Sequence, residues 1–307
     1  MTGRPIAEAP PRRLRTRPRG GRGLLIVPPV VVVLAVMMAP IVLIALYSVD
    51  VKTNLPFTPT KFTWSMWKDF LPPSGKFPNP FWHRFEISMV ITVVVSLIAV
   101  VAAYPLAYFL AFVSRRSRYT LLLLILAPFF TSYLLRVIAW KIMLSNHGVI
   151  NTALWNIHLR SHGDGLPWLI YSKFSVGLVL FYSWVPFVAV PIFVLLDRMD
   201  TNLLEAAQDL GAGRTTTFLR VTLPLSLPGV IAGFVFVLIP TTGEFITPLL
   251  VGGPGSQMFG NSIQSFFQDT PNWNYGAVLA LWLVAVVFVM LLVFGRFLAT
   301  DLREANS

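Results

Sequence analysis

Residues 197–229 read DRMDTNLLEAAQDLGAGRTTTFLRVTLPLSLPG. The stretch is too polar to cross a membrane, yet it lies between two stretches long and apolar enough to do so. Asn202 and Glu205 have the spacing of a capping box, with Asn202 as N-cap and Glu205 reaching back to it. Leu203, Ala207 and Leu210 then recur on one helical face. Gly211 supplies the left-handed residue that ends such a helix. A second short turn is expected from Thr217 to Val221, halted by Pro224 and Pro228. The stretch thus predicts a stubby helix lying across one face of a membrane. Ala206 and Ala207 keep its flank narrow, which suits insertion into a groove on another protein.

Outward from it, the chain is apolar. Of its 307 residues 55% are hydrophobic and 12% charged, about half the charged share of a soluble domain. A hydrocarbon core of roughly 30 Å takes about 20 helical residues to cross. Six stretches reach that length, at about 24–48, 87–113, 119–141, 174–196, 229–251 and 275–298. The expected class is an all-α polytopic membrane protein. A disordered basic arm covers 1–23, the six-span domain 24–298 with the polar segment at about 200–224, and a tail 299–307. The first span runs too long for a signal-peptide core and lacks a small-residue cleavage site, so it is read as a retained anchor.

Charge sets the expected orientation. Arg4, Arg12, Arg13, Arg15, Arg17, Arg19 and Arg22 precede the first span, SRRSR fills the turn at 114–118, and Arg296 and Arg303 close the chain. All fall on one side, which the positive-inside rule makes cytoplasmic. The segments at 49–86, 142–173 and 252–274 then face outside. Lys52, Lys61, Lys68 and Lys76 sit in the first of these, and long loops translocate largely regardless of charge. The net charge of +11 is therefore read as topological anchoring to anionic lipid, and no nucleic-acid-binding motif accompanies it.

Other chemistry is sparse. Cysteine is absent, which excludes disulfides and thiolate sites. His83, His147, His158 and His162 are irregularly spaced, so no metal site is expected. Trp64, Trp67, Trp82, Trp155, Trp168 and Trp273 read as an interfacial belt. Gly252, Gly253 and Gly255 are not followed by a phosphate-loop lysine, so the chain has no nucleotide site of its own. No triad, metal set or carboxylate pair suggests an enzyme.

Glu205-Ala206-Ala207, Gly211 and Val221-Thr222-Leu223-Pro224 resemble the EAA motif of ABC-importer permeases, with Val221 where the family has Ile. The resemblance implies that this segment is the coupling helix, which docks in a cleft of an ATPase and passes ATP-driven closure to the membrane helices. It rests on Glu205, Ala206, Ala207, Gly211, Leu223 and Pro224. The stretches 24–49, 128–151 (PFFTSYLLRVIAWKIMLSNHGVIN) and 240–267 (PTTGEFITPLLVGGPGSQMFGNSIQSFF) are similar to the spermidine/putrescine group, the last to its first permease subunit. Permeases for iron, thiamine and opines share parts of these blocks.

The resemblance implies a second permease subunit, a pair of cytoplasmic ATPases that bind the ATP, and an extracytoplasmic solute-binding protein. It also implies alternating access. A lone ion-coupled secondary transporter is the rival, but inverted repeats and several intramembrane charges are not evident. The interior of the predicted spans holds one carboxylate, Glu244. It can pair with a substrate ammonium, helped by Tyr182, Trp184 and Phe245 through cation–π contacts and flanked by Thr241 and Thr242. It can equally pair with Arg136 or Lys141 of the third span. Both readings stand at this point.

Overall fold

A computed structural model of the chain describes residues 27–49, 62–71, 80–156, 166, 168–270 and 272–304. Among these residues every regular element is a helix. The basic arm, His158 and His162 lie outside them.

The first span, α1 (Val27–Val49), places Pro28 and Pro29 in its first turn, where a missing N–H costs nothing. A short helix, α2 (Ser65–Phe70), follows. The second span, α3 (Pro80–Tyr108), ends in a π-turn, Phe109–Val113.

The third span is not the straight rod expected over 119–141. It consists of α4 (Arg118–Leu126), a 3₁₀ turn Ala127–Phe130, and α5 (Tyr133–Leu144) continuing to α6 (Val149–Asn156), and the two halves are bent by 84°. Pro128 withholds a backbone donor, and Thr131 and Ser132 are extended, with ψ of 158° and 134°. The freed carbonyls are satisfied by side chains. Thr131 Oγ1 donates to the Pro128 carbonyl at 2.7 Å, and Arg136 Nη2 donates to those of Phe129 and Thr131 at 3.3 and 3.2 Å.

The fourth span, α7 (Lys173–Asp197), opens on a capping box between Ser172 and Ser175. Beyond it come α8 (Thr201–Asp209), α9 (Arg214–Thr217), a π-turn Phe218–Thr222, and α10 (Leu223–Thr242). Here the prolines act differently from expectation. Pro224 and Pro228 do not stop a helix, because Pro224 sits in the first turn of α10 and the wide turn before it absorbs the lost hydrogen bonds. The fifth span therefore runs from Arg214 to Thr242, starting and ending earlier than the expected 229–251. After a break come α11 (Ile246–Val251), a 3₁₀ turn, α12 (Phe259–Gln268) and the last span, α13 (Trp273–Glu304). Among the described residues five helices are long and apolar enough to cross a membrane, and the bent third span, taken as one, makes six.

The core lies among α3, α7 and α10. Ala99, Ala103 and Ala107 are fully buried on α3, and small residues let helix backbones approach in lipid. On α10 a Cβ at Gly229 would meet the Pro191 carbonyl of α7 at 2.8 Å, and one at Gly233 would meet Val188 at 2.9 Å. A second, aromatic cluster joins α2, α3, α12 and α13 through Phe70, Trp82, Phe85, Phe259 and Trp282. Trp82 stacks on Phe70 and donates its indole N–H to the Phe70 carbonyl at 3.1 Å. Trp82 and the buried Trp155 are packed within the fold, whereas Trp64 and Trp168 are exposed.

Candidate functional site

Two regions carry the candidate residues. In the first, α8 projects from the face where α7 ends and α10 begins. Its cap is Asp200, not the expected Asn202. The Asp200 backbone is extended (φ −67°, ψ 117°), and its Oδ1 accepts from the Asn202 N–H at 3.0 Å. Asn202 is already inside the helix, so Glu205 does not reach back and its side chain is exposed. A carboxylate at the helix start also complements the helix dipole.

The other end closes as expected. Gly211 has φ +84°, its N–H bonds the Gln208 carbonyl at 2.9 Å, and the Ala212 N–H bonds that of Ala207 at 3.0 Å. This is a Schellman closure. Leu203 is 48% and Leu210 89% exposed, so an apolar stub beside Glu205 and Ala206 is left largely open among the described residues, while Ala207 is half-buried. Leu223 and Pro224 lie at the start of α10, half-buried and exposed respectively. The segment is fastened to α3. Phe218 packs edge-on against Tyr104 and Tyr108, and the Tyr104 and Ser226 hydroxyls lie 2.8 Å apart.

Sequence reading missed the contact at the root of this segment. Asp197, the last residue of α7, pairs with Arg118, the first of α4, and accepts from the Tyr119 hydroxyl at 3.1 Å. A lone acid closing an apolar span was the available signal.

The second region is the break at Gly243–Phe245. Glu244 Oε1 accepts from the N–H groups of Ile246 and Thr247 at 2.8 and 3.0 Å, capping α11. The Tyr133 hydroxyl, first residue beyond the third-span bend, lies 2.6 Å from that of Thr247 and within electrostatic reach of Glu244. Asn261 of α12 donates to the Phe245 carbonyl at 2.8 Å. Two discontinuous helices thus meet at a carboxylate, the kind of irregular backbone that membrane proteins keep for cavities and sites.

The expected companions scatter. Thr241 and Thr242 are fully buried, and Thr242 donates to the Leu238 carbonyl at 2.7 Å. Tyr182 packs between Phe129 and Trp140. Trp184 lines a separate apolar groove of about 530 Å³ with Phe236 and Pro240. Phe245 adjoins Glu244 and is partly exposed. Neither Arg136 nor Lys141 forms an ion pair with Glu244, since the interhelical pair among the described residues is Arg118–Asp197. The Arg136 guanidinium lies 4.4 Å over the Phe129 ring instead. No cluster of metal-ligating side chains occurs among the described residues.

With this geometry in hand, residues 85–304 match the family described as the inner membrane component of binding-protein-dependent transport systems. The chain belongs to that family. It is 35% identical over 215 residues to the spermidine/putrescine transport system permease protein PotB of Escherichia coli K12, covering 69% of this chain and 77% of PotB. Identity to the PotB of Haemophilus influenzae is 33% over 215 residues, covering 70% and 73%. The fold matches a crystal structure of a bacterial ABC transporter that imports the acidic polysaccharide alginate. The TM-score is 0.65 at 16% identity, over 91% of this chain and 95% of that one. This inner membrane component is thus an ABC-importer permease in sequence and in fold.

Proposed function

We propose that this permease passes a polyamine of the spermidine/putrescine type inward, driven by ATPases that grip α8. The observation that carries the substrate is the 35% identity to PotB. The carboxylate at the fifth-span break agrees with a cationic cargo, because Glu244, which holds α11 through Oε1, can pair with an ammonium. For coupling, the support is the exposed stub of Leu203, Glu205, Ala206 and Leu210 held rigid by Asp200 and Gly211. Ala207 narrows its flank, and Leu223 and Pro224 join it to the fifth span.

In this reading the permease domain covers 24–298, with the coupling segment at about 200–224. The termini and α8 lie in the cytoplasm. A second, similar permease completes the path, two ATPases bind and hydrolyse the ATP, and an extracytoplasmic binding protein delivers the amine. The chain performs no chemistry itself. ATP binding closes the ATPases, α8 moves, and the cavity opens outward; hydrolysis returns it inward.

The chain lacks cysteine, so one introduced thiol reports cleanly. Ala206→Cys in the assembled importer should cross-link to a cysteine placed in the groove of the ATPase, with an efficiency that changes between ATP-bound and nucleotide-free states. No cross-link in either state would refute docking at α8.

A further inference from the structure

We propose that Arg118, Tyr119 and Asp197 form a clamp that carries the movement of the coupling segment into the third span, and so to the helix break at Glu244. The inference rests on the coupling role of α8 and extends it to a span that the coupling segment does not directly join.

The placement of the two charges is the first argument. Arg118 is the first residue of α4, and Asp197 is the last of α7. A cation at a helix start and an anion at a helix end both oppose the helix dipole. Each position is unfavourable alone and is offset by the other charge. The carboxylate is shared completely, Oδ1 with the Arg118 guanidinium and Oδ2 with the Tyr119 hydroxyl. The pair is mostly shielded, with side chains 28% and 14% exposed, so solvent screens it less than a surface pair. The other contact between a basic and an acidic side chain among the described residues, His83–Glu86, lies within one helix and is open to solvent.

The surroundings are the second argument. Asp200, the cap of α8, follows Asp197 after Arg198 and Met199, so a displacement of α8 pulls directly on the clamp. Beside the clamp a cavity of about 320 Å³ lies between the 114–118 turn and the start of α8, lined by Phe112, Arg115, Met199 and Thr201. The joint therefore has room to shift.

The far end is the third. Helix α4 leads into the 84° bend, and the first helical residue beyond it, Tyr133, bonds Thr247 in the half-helix that Glu244 caps. Movement at α8 thus meets a contiguous series of contacts: Asp197, Arg118, α4, the bend, Tyr133, Thr247. Coupling travels through physically connected elements, and a bent span held at both ends supplies that connection. These are positioning residues, remote from the cargo.

The test is the reconstituted importer assayed for basal ATP hydrolysis, spermidine uptake and thermal stability. Arg118→Gln and Asp197→Asn should each lower uptake about tenfold at near-normal basal hydrolysis, and the exchange Arg118→Asp with Asp197→Arg should restore most of it. Tyr119→Phe should lose less. Glu205→Lys serves as the control. If it uncouples while Arg118→Gln and Asp197→Asn transport normally, the clamp is refuted and the role of α8 survives. If Glu205→Lys also transports normally, the coupling role of α8 is what fails, and the clamp with it. Lost assembly or stability with no recovery in the exchange overturns the clamp by making the pair a folding contact.

Discussion

Gly211 and Glu244 each do a backbone task before any functional one. Gly211 is the left-handed glycine of the described residues, and a Cβ there would meet nothing within 4 Å. Backbone conformation alone therefore selects glycine. Asparagine tolerates that region, whereas a β-branched residue does so at a cost of about 1–2 kcal/mol. Gly211→Asn should retain most uptake and Gly211→Val should lose it with the complex still assembled; equal uptake by both would remove the turn from the account. At Glu244, Gln keeps an acceptor for the Ile246 and Thr247 N–H groups and removes only the charge. Glu244→Gln should lower uptake tenfold to a hundredfold, the equivalent of about 1.5–3 kcal/mol for a charge-assisted contact, without loss of thermal stability. Glu244→Ala, which removes the acceptor of two N–H groups at the start of α11, should also lower the melting temperature. Normal uptake by Glu244→Gln would end its role as a substrate contact. The glycine could be read from sequence because one residue type owns its conformation. The helix cap could not: Asp200, Thr201 and Asn202 are all competent caps, and the choice depends on where α7 releases the chain.

At the scale of elements, all six spans were legible as apolar runs of sufficient length, the third without its bend and the fifth with later bounds than the fold gives it. What sequence did not disclose was how the prolines are spent. Pro224 opens a helix after a π-turn, whereas Pro128 ends in an 84° bend. The difference lies in tertiary partners such as Arg136, whose guanidinium satisfies the carbonyls at the bend. Close packing of α7 on α10 makes a sharper claim. Gly229→Leu places a side chain where even a Cβ lies 2.8 Å from the Pro191 carbonyl, and helices cannot part without opening the core. The variant should fail to yield a monodisperse complex, while Gly213→Ala, with open space around it, should behave as wild type by size-exclusion chromatography. A well-assembled Gly229→Leu complex would contradict the packing.

At the scale of the whole molecule, the family was legible because the coupling motif combines residue identity with spacing over some twenty positions, something no single cap or stop explains. The pathway was less so. Glu244 was recognisable as a carboxylate in an apolar run, but Tyr182 and Trp184, which lie on another span, were joined to it by aromatic character alone, and the fold sends Tyr182 to the third span and Trp184 to a separate groove. The proposed topology rests on arginine placement, so reporters fused at positions 115 and 212 should give a cytoplasmic signal and those at 75, 160 and 262 an external one; an external signal at 115 or 212 would invert the arrangement. The central claim is that ATP hydrolysis on partner subunits drives a polyamine through this chain. Proteoliposomes holding the complete importer and supplied with binding protein should accumulate labelled spermidine or putrescine only with ATP inside the coupling compartment, and Glu205→Lys should abolish accumulation while hydrolysis continues. Accumulation that persists without ATP or the ATPases, or ATP-driven transport that excludes both amines, would contradict it.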